Sequence, residues 1–236
     1  MSFAFVLFCE NHPGRDFNVA ESALAAIRGI LASTPGLTSG LIFTPETAQD
    51  LFNHDGASPP LGLQLHFDTL PGLEAAVAPD GPLQALAAPG VLPGPEEAKT
   101  TQQAMLVRPF PVDDPVLRTP EDALPCSYVV HYPGPADDIN LWLSHYIAGH
   151  PPIMRKFPGI RSIEILSRVD WCGGLPYERV GHIQRNRIVF DSAAALTAAL
   201  QSPVRYEMRA DFHTFPAFEG GNFHYPMATE TVLPAA

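Results

Sequence analysis

Seven side chains able to move a proton or cradle an aromatic ring fall within residues 126–160: His131, His145, His150, Tyr128, Tyr132, Trp142 and Tyr146. An imidazole changes charge near neutral pH and can act as general acid or base, and a phenol can steady a developing oxyanion. Residues 126–132 (CSYVVHY) read as a strand. Its alternation puts Tyr128, Val130 and Tyr132 on one side and Val129 and His131 on the other. Which side faces the interior is open at this stage. His131 is the first candidate for proton transfer; a core histidine bonded to a neighbouring strand satisfies the same pattern.

Residues 138–149 read as a helix. At about 100° per residue, Ile139, Trp142, Leu143, Tyr146 and His150 share a face, with His145 at its margin. His150 precedes Pro151-Pro152, and a residue before proline is pushed out of helical geometry, so the helix is expected to end there. A local rule broken at a histidine marks His150 as the second proton-transfer candidate, with a simple kink and a solvated cap as the bland reading. Tyr146 and Tyr132 are candidates for steadying oxygen, and Tyr128 and Trp142 for binding. His182 begins a further strand and His224-Tyr225 another, so all three are expected near one end of a sheet, at a ligand or in solvent. Asp211 suits a structural role, orienting His213 or capping a turn. The loop Asp170-Trp171-Cys172-Gly173-Gly174 has paired glycines that suit a lid or an ordinary hairpin.

Nine histidines raise the question of metal. No HExxH, no HxH and no i, i+4 pair backed by a carboxylate occurs, so no metal ligand set is expected. GxGxxG, P-loop and GxSxG motifs are absent too, which leaves no motif for a dinucleotide, a nucleotide or a serine nucleophile. A net charge of −11 opposes a nucleic-acid backbone. Residues 1–123 hold 5 Lys+Arg against 15 Asp+Glu and residues 124–236 hold 9 against 10, so a neutral or anionic small molecule suits the second half better. Cys9, Cys126 and Cys172 are odd in number without CxxC spacing, as reduced thiols of a cytoplasmic protein would be. Neither a signal peptide nor a membrane span is legible.

The elements that must position these residues occur twice. Strands at 3–9, 37–43, 61–67 and 102–107, with helices at 19–34 and 70–77, give β-α-β-β-α-β. Strands at 126–132, 160–167, 182–190 and 223–232, with helices at 138–149 and 193–200, repeat it. Pro35-Gly36 matches Pro158-Gly159, Phe67-Asp68 matches Phe190-Asp191, and Pro111 matches Pro234, each at a spacing of 123. Each half is therefore expected to be a ferredoxin-like unit, residues 1–112 and 125–236, joined by a linker at 113–124. Helices on one face of each sheet leave the other bare, and two such sheets packed face to face make an α+β pseudo-dimeric α/β barrel. At the 123 spacing, His131 matches Phe8, Tyr132 matches Cys9, His145 matches Ser22, Tyr146 matches Ala23, His150 matches Ile27 and His224 matches Thr101. At these matched positions polar aromatics stand in the second half only, so one site is expected, furnished by that half.

VVHYPG, LSHYIAGHPPIMRKFPGI and RIVFDSAAALTAALQSPVRYEMRADFHTF resemble the EthD-like family of the dimeric α/β-barrel superfamily over residues 128–226. The first half keeps the architecture and lacks the histidines of those motifs. His145-Tyr146 resembles that family's His-Tyr pair. The resemblance implies a small ferredoxin-like barrel; related barrels include cofactor-independent cyclases, decarboxylases, dehydratases, isomerases and monooxygenases, besides haem-binding branches, so fold alone selects no reaction. The expectation is a cofactor-independent acid–base enzyme, a lyase, dehydratase or isomerase. It would act on a hydrophobic, aromatic or polyketide-like oxygenated molecule in the barrel cavity of the second half. His131 or His150 would move the proton, helped by Tyr132 or Tyr146. A non-catalytic carrier and a haem-binding tandem barrel are the alternatives. Either a monomer, as pseudo-dimer, or a homodimer is expected, with no nucleic-acid or membrane partner.

Overall fold

A computed structural model describes residues 2–15 and 17–234. Eight strands close into an antiparallel barrel: β1 (Ser2–Asn11), β2 (Leu37–Pro45), β3 (Leu61–Phe67), β4 (Ala98–Phe110), β5 (Cys126–Tyr132), β6 (Ile160–Arg168), β8 (Gln184–Phe190) and β9 (Phe223–Val232). The order is β1-β3-β2-β9-β5-β8-β6-β4 and back to β1. A two-residue strand, β7 (Glu178–Arg179), adds a parallel pairing to β4. Closure satisfies every strand edge, which an open four-stranded sheet cannot do alone. The joins are β2 to β9 and β4 to β6, one strand from each half at both seams.

Helices α1 (Glu21–Ala32), α2 (Leu70–Val77), α3 (Ile139–Met154), α4 (Ala193–Leu200) and α5 (Val204–Phe212) lie outside, with a 3-10 turn at Pro82–Ala87. In α1, Ala23, Ile27 and Leu31 recur every fourth residue and are buried as one stripe against the sheet. Thr69 caps α2 through the Gly72 N–H, and Ser192 caps α4 through the Ala195 N–H. Those caps are 123 residues apart. So are the bulges after Leu37 and Ile160 and the strand pairs Phe3–Phe67 and Cys126–Phe190.

Two departures from the sequence expectation matter for function. Helix α3 continues through His150-Pro151-Pro152 to Met154 instead of ending at Gly149. The prolines forfeit two backbone bonds, worth about 3 kcal/mol or more per interior proline. Burial of His150, Met154 and Phe157 against the sheet holds the last turn in place, and Arg155 N–H bonds to the Pro151 carbonyl at 2.9 Å. Helix α5 was not expected, although Val204, Met208 and Phe212 carry its four-residue period.

The barrel interior is packed. Ala4, Val6 and Phe8 meet Leu41, Phe43, Met105, Val107, Val129, Leu166 and Met227 as one apolar cluster. Phe8 and His131, matched at the 123 spacing, touch edge to face at 4.7 Å. A polar group plugs part of the interior: Glu164 accepts from Gln64 (2.8 Å) and Arg187 (3.1 Å), and Arg187 also donates to Ser127. Burial alone would raise the Glu164 carboxyl, but Arg187, His66 and Gln64 hold it below its ordinary value.

The long loops cross between halves. Residues 169–183 leave the second half and seal the outer face of the first. Trp171 lies 5.8 Å from the Phe5 ring, Leu175 joins that half's core, and Gln102 donates to the Leu175 and Tyr177 carbonyls. The paired glycines, which suited a lid or an ordinary hairpin, serve close approach: a Cβ on Gly174 would stand 2.7 Å from Pro79. Residues 46–60 of the first half make the reciprocal crossing.

Candidate functional site

The barrel lumen is filled, and the cavity lies outside it, between the outer face of the second-half sheet and helices α3 and α5. This corrects the expected barrel cavity, and strand alternation is the reason: Tyr128, Val130 and Tyr132 face the helices while Val129 and His131 face the lumen. Val130, Tyr132, Asn186 and Ile188 form the cavity floor, and His150, Met154, Phe157, Met208 and Phe212 form its roof. Its volume is about 70 Å³. At Asn53, Tyr128 and His224 it borders an open cleft of about 740 Å³ under residues 45–58.

His150 is the group best placed for chemistry. Its side chain is 6% exposed, and Nδ1 lies 2.7 Å from Oδ2 of Asp211 on α5. Asp211, read from the sequence as orienting His213 or capping a turn, thus partners His150. Gly149 makes the approach of α5 possible, since a Cβ there would come within 3.1 Å of Asp211 Oδ1. Burial pushes the imidazole below its ordinary pKa, and Asp211 opposes the shift without cancelling it. Burial therefore favours the neutral ring, and the contact with Asp211 favours the tautomer that carries its proton on Nδ1. Nε2, with no hydrogen-bond partner among the described residues, is left as a base.

The floor offers hydrogen-bonding groups to a ligand. Burial pushes the Tyr132 phenol up to about 12 against the opposing influence of the nearby Asn222 and Tyr146 side chains, so it keeps its proton at neutral pH. Asn186 donates to the Tyr146 hydroxyl, and Tyr146 itself sits beside the cavity in the helix-side core, fully buried and stacked on Trp142 at 5.2 Å. Trp142 lies among Tyr132, Phe215 and Phe218, deep in the helix-side core. His145 points away from the cavity to Thr214 at 3.0 Å.

The side wall comes from the first half. Asp50 accepts from Arg205 (2.9 and 3.1 Å), from the Tyr128 hydroxyl (2.8 Å) and from the Phe52 N–H (2.8 Å). Burial alone would raise its carboxyl, but those donors, Arg205 foremost, hold it below the usual range. Asp55 bonds to His224 Nδ1 at 2.7 Å, Asn53 reaches the same ring at 3.0 Å, and His224 stacks on Tyr128 at 5.4 Å. Phe52 lies under the guanidinium groups of Arg205 and Arg209, at 5.2 and 5.1 Å.

His131, His182 and Tyr225 gather elsewhere, at one end of the lumen. Both His131 nitrogens lie within 2.8 Å of Arg185 Nη1, and the rings of Tyr225 and His182 stand 5.2 and 5.6 Å from it. Burial, then Arg185, drives His131 well below its ordinary pKa; the same causes bring His182 to about 3, and burial brings Arg185 to about 9. The structure thus unites Tyr128, Tyr132, His150 and His224 at the cavity, keeps Tyr146 and Trp142 in the helix-side core beside it, and separates His131, His145, His182 and Tyr225 from it. Asp50, Asn53, Asp55, Asn186, Arg205, Arg209 and Asn222 were not anticipated. Asn186 was findable from its parity with Ile188, and the arginines from their i, i+4 spacing. Nothing local links residues 50–55 to a site built by the other half.

No helix among the described residues is long and apolar enough to cross a membrane, and no group of three or more His, Cys, Asp or Glu among them is placed to hold a metal ion. No protein-family model and no curated protein matches the chain. Solved structures do. An anthrone oxidase-like protein superposes with a TM-score of 0.63 at 15% identity, over 100% of this chain and 96% of that one. Two proteins named as candidate monooxygenases follow. The one from Fusobacterium nucleatum has a TM-score of 0.54 at 7% identity, over 98% and 94% of the chains. The one from Lactobacillus acidophilus has 0.52 at 10%, over 98% and 96%. At such identities the likeness is one of architecture: a closed antiparallel eight-stranded α/β barrel with its helices outside.

Proposed function

We propose that this protein is a cofactor-independent enzyme in which His150 removes a proton from a hydrophobic, oxygenated aromatic molecule. One observation carries the reading: a buried imidazole, backed at Nδ1 by a carboxylate, lines the cavity with Nε2 unpartnered among the described residues. Nε2 would take a proton from carbon or oxygen made acidic by a neighbouring carbonyl or ring hydroxyl. The electron pair moves to the substrate oxygen, where Tyr132, held as a donor, and Asn222 stabilise it. Asp211 favours the tautomer and offsets the imidazolium charge that forms. Isomerisation and elimination both begin with this step, and so would reaction of the resulting carbanion with oxygen, as the names of the structural neighbours suggest. A fused ring system exceeds 70 Å³, so it would extend into the 740 Å³ cleft, with Asn53 and His224 displaced.

The second half is EthD-like in this reading, and the halves arose by tandem duplication, as the shared registers, bulges and caps at one spacing support. An Asp-buttressed imidazole would also suit metal ligation, and a macrocycle such as haem would need the same opening into the 740 Å³ cleft that a fused ring system needs.

Anthrone supplies the test. Under anaerobic conditions in deuterated buffer, the protein should accelerate exchange of the acidic ring CH₂ protons, read by NMR. His150→Gln should lower the enzymatic rate about 100-fold or more, and His131→Phe should leave it within a few-fold. Full activity in His150→Gln would end the proposal. Binding without any exchange would favour a carrier.

A further inference from the structure

The geometry points to an organic anion as the cavity's ligand, with Arg209 receiving its charged group. This deepens the proposed function and rests on the cavity being the working site. Two arginines one helical turn apart on α5 line the cavity. The charge of Arg205 is matched by Asp50 in a buried pair. Among the described residues, the Arg209 guanidinium has neither a carboxylate within ion-pair distance nor a hydrogen-bond acceptor, although the chain holds 25 acidic residues against 14 Lys+Arg. Asp211, two residues on, is committed to His150.

Arg209 is also not simply released to solvent. Its guanidinium lies over Phe52 at 5.1 Å, so a residue from the opposite half pins it at the cavity mouth. Its planar fork matches a carboxylate and binds one bidentately. Inward from it the wall is apolar, with Met154, Phe157, Ile188 and Met208, and His150 stands among them. A molecule matching this sequence of surfaces has an apolar ring body and one acidic substituent. With the acid on Arg209, the body is oriented toward His150, making Arg209 a specificity residue rather than a proton carrier.

A matched pair of probes isolates the charge: 2-naphthoate and 2-naphthamide share a ring system and differ in ionisation. Fluorescence titration at low salt should show the full-length protein binding 2-naphthoate about ten-fold tighter than the amide. Arg209→Gln should erase that preference by weakening the acid alone, and Arg209→Lys should keep part of it. Added salt should shrink the preference, since the mouth is partly exposed. His150→Gln should leave the acid-to-amide ratio unchanged, which separates anion recognition from the proton-transfer reading. Equal binding of the two probes, an undiminished ratio in Arg209→Gln, or no binding of 2-naphthoate at millimolar concentration would each overturn the inference.

Discussion

The His150–Asp211 pair is open to a measurement that needs no substrate. Nδ1 and Oδ2 are 2.7 Å apart, and the two side chains are only 6% and 15% exposed. A hydrogen bond to a charged acceptor in such surroundings contributes about 1.5–3 kcal/mol. Replacing His150 by Leu leaves a nearly buried carboxylate without its donor, and replacing Asp211 by Leu strands an N–H. Each single change should destabilise by about 2–3 kcal/mol, and the double variant by clearly less than their sum. Urea denaturation of the four proteins at pH 7.5, where His150 is neutral, should yield a coupling of about 2 kcal/mol. That is roughly a thirty-fold bias toward the Nδ1–H tautomer, the one that frees Nε2. Additive effects, with coupling below about 0.5 kcal/mol, would show that Asp211 does not set the tautomer and would remove the basis for a general-base role.

Three further outcomes follow from the same geometry. Arg205→Leu leaves Asp50, at 4% side-chain exposure, without its counter-charge. That should cost about 3–5 kcal/mol and lower the Tm by about 6–20 °C in calorimetry, whereas Asp50→Leu combined with Arg205→Leu should recover part of the loss. His66, His131, His150 and His182 have folded pKa values depressed below 6.5, chiefly by burial. Their contribution to stability is intact above that pH and is lost as pH falls from it toward each folded pKa, by at most about 1.4 kcal/mol per pH unit for each. His131→Phe should flatten the denaturation slope between about pH 6 and 5 by that amount; an unchanged slope would mean His131 is protonated when folded. Gly149→Ala should cost little stability, because helix propensity favours alanine by about 1 kcal/mol. The new Cβ presses on Asp211, so anthrone exchange should slow while the Tm moves by only a few degrees.

Element order was legible because it depends on local pattern. The i, i+4 stripe of α1, the Ser and Thr caps and the period-two strands need only neighbours along the chain. Repetition of that order at a spacing of 123 implied two half-barrels that must cover each other, since each alone leaves an apolar sheet face in water. The same comparison marked residues 126–160 as the differentiated copy. The helix end was misjudged because a proline rule is local, whereas the last turn of α3 is held by packing of His150, Met154 and Phe157.

Only the tertiary structure decided which histidine faces a cavity. Alternation separated His131 from Tyr132, but a strand in a two-layer arrangement is apolar on both faces, so its composition does not say which face meets helices and which meets the lumen. Closing the barrel buried His131 against Phe8 and Arg185, while the packing of α3 on α5 gave His150 its carboxylate. The clamp of Asp50 on Arg205 and the seating of Phe52 under Arg209 join residues about 155 positions apart. No periodicity along the chain encodes such a pairing, because it exists only once the two sheets have met.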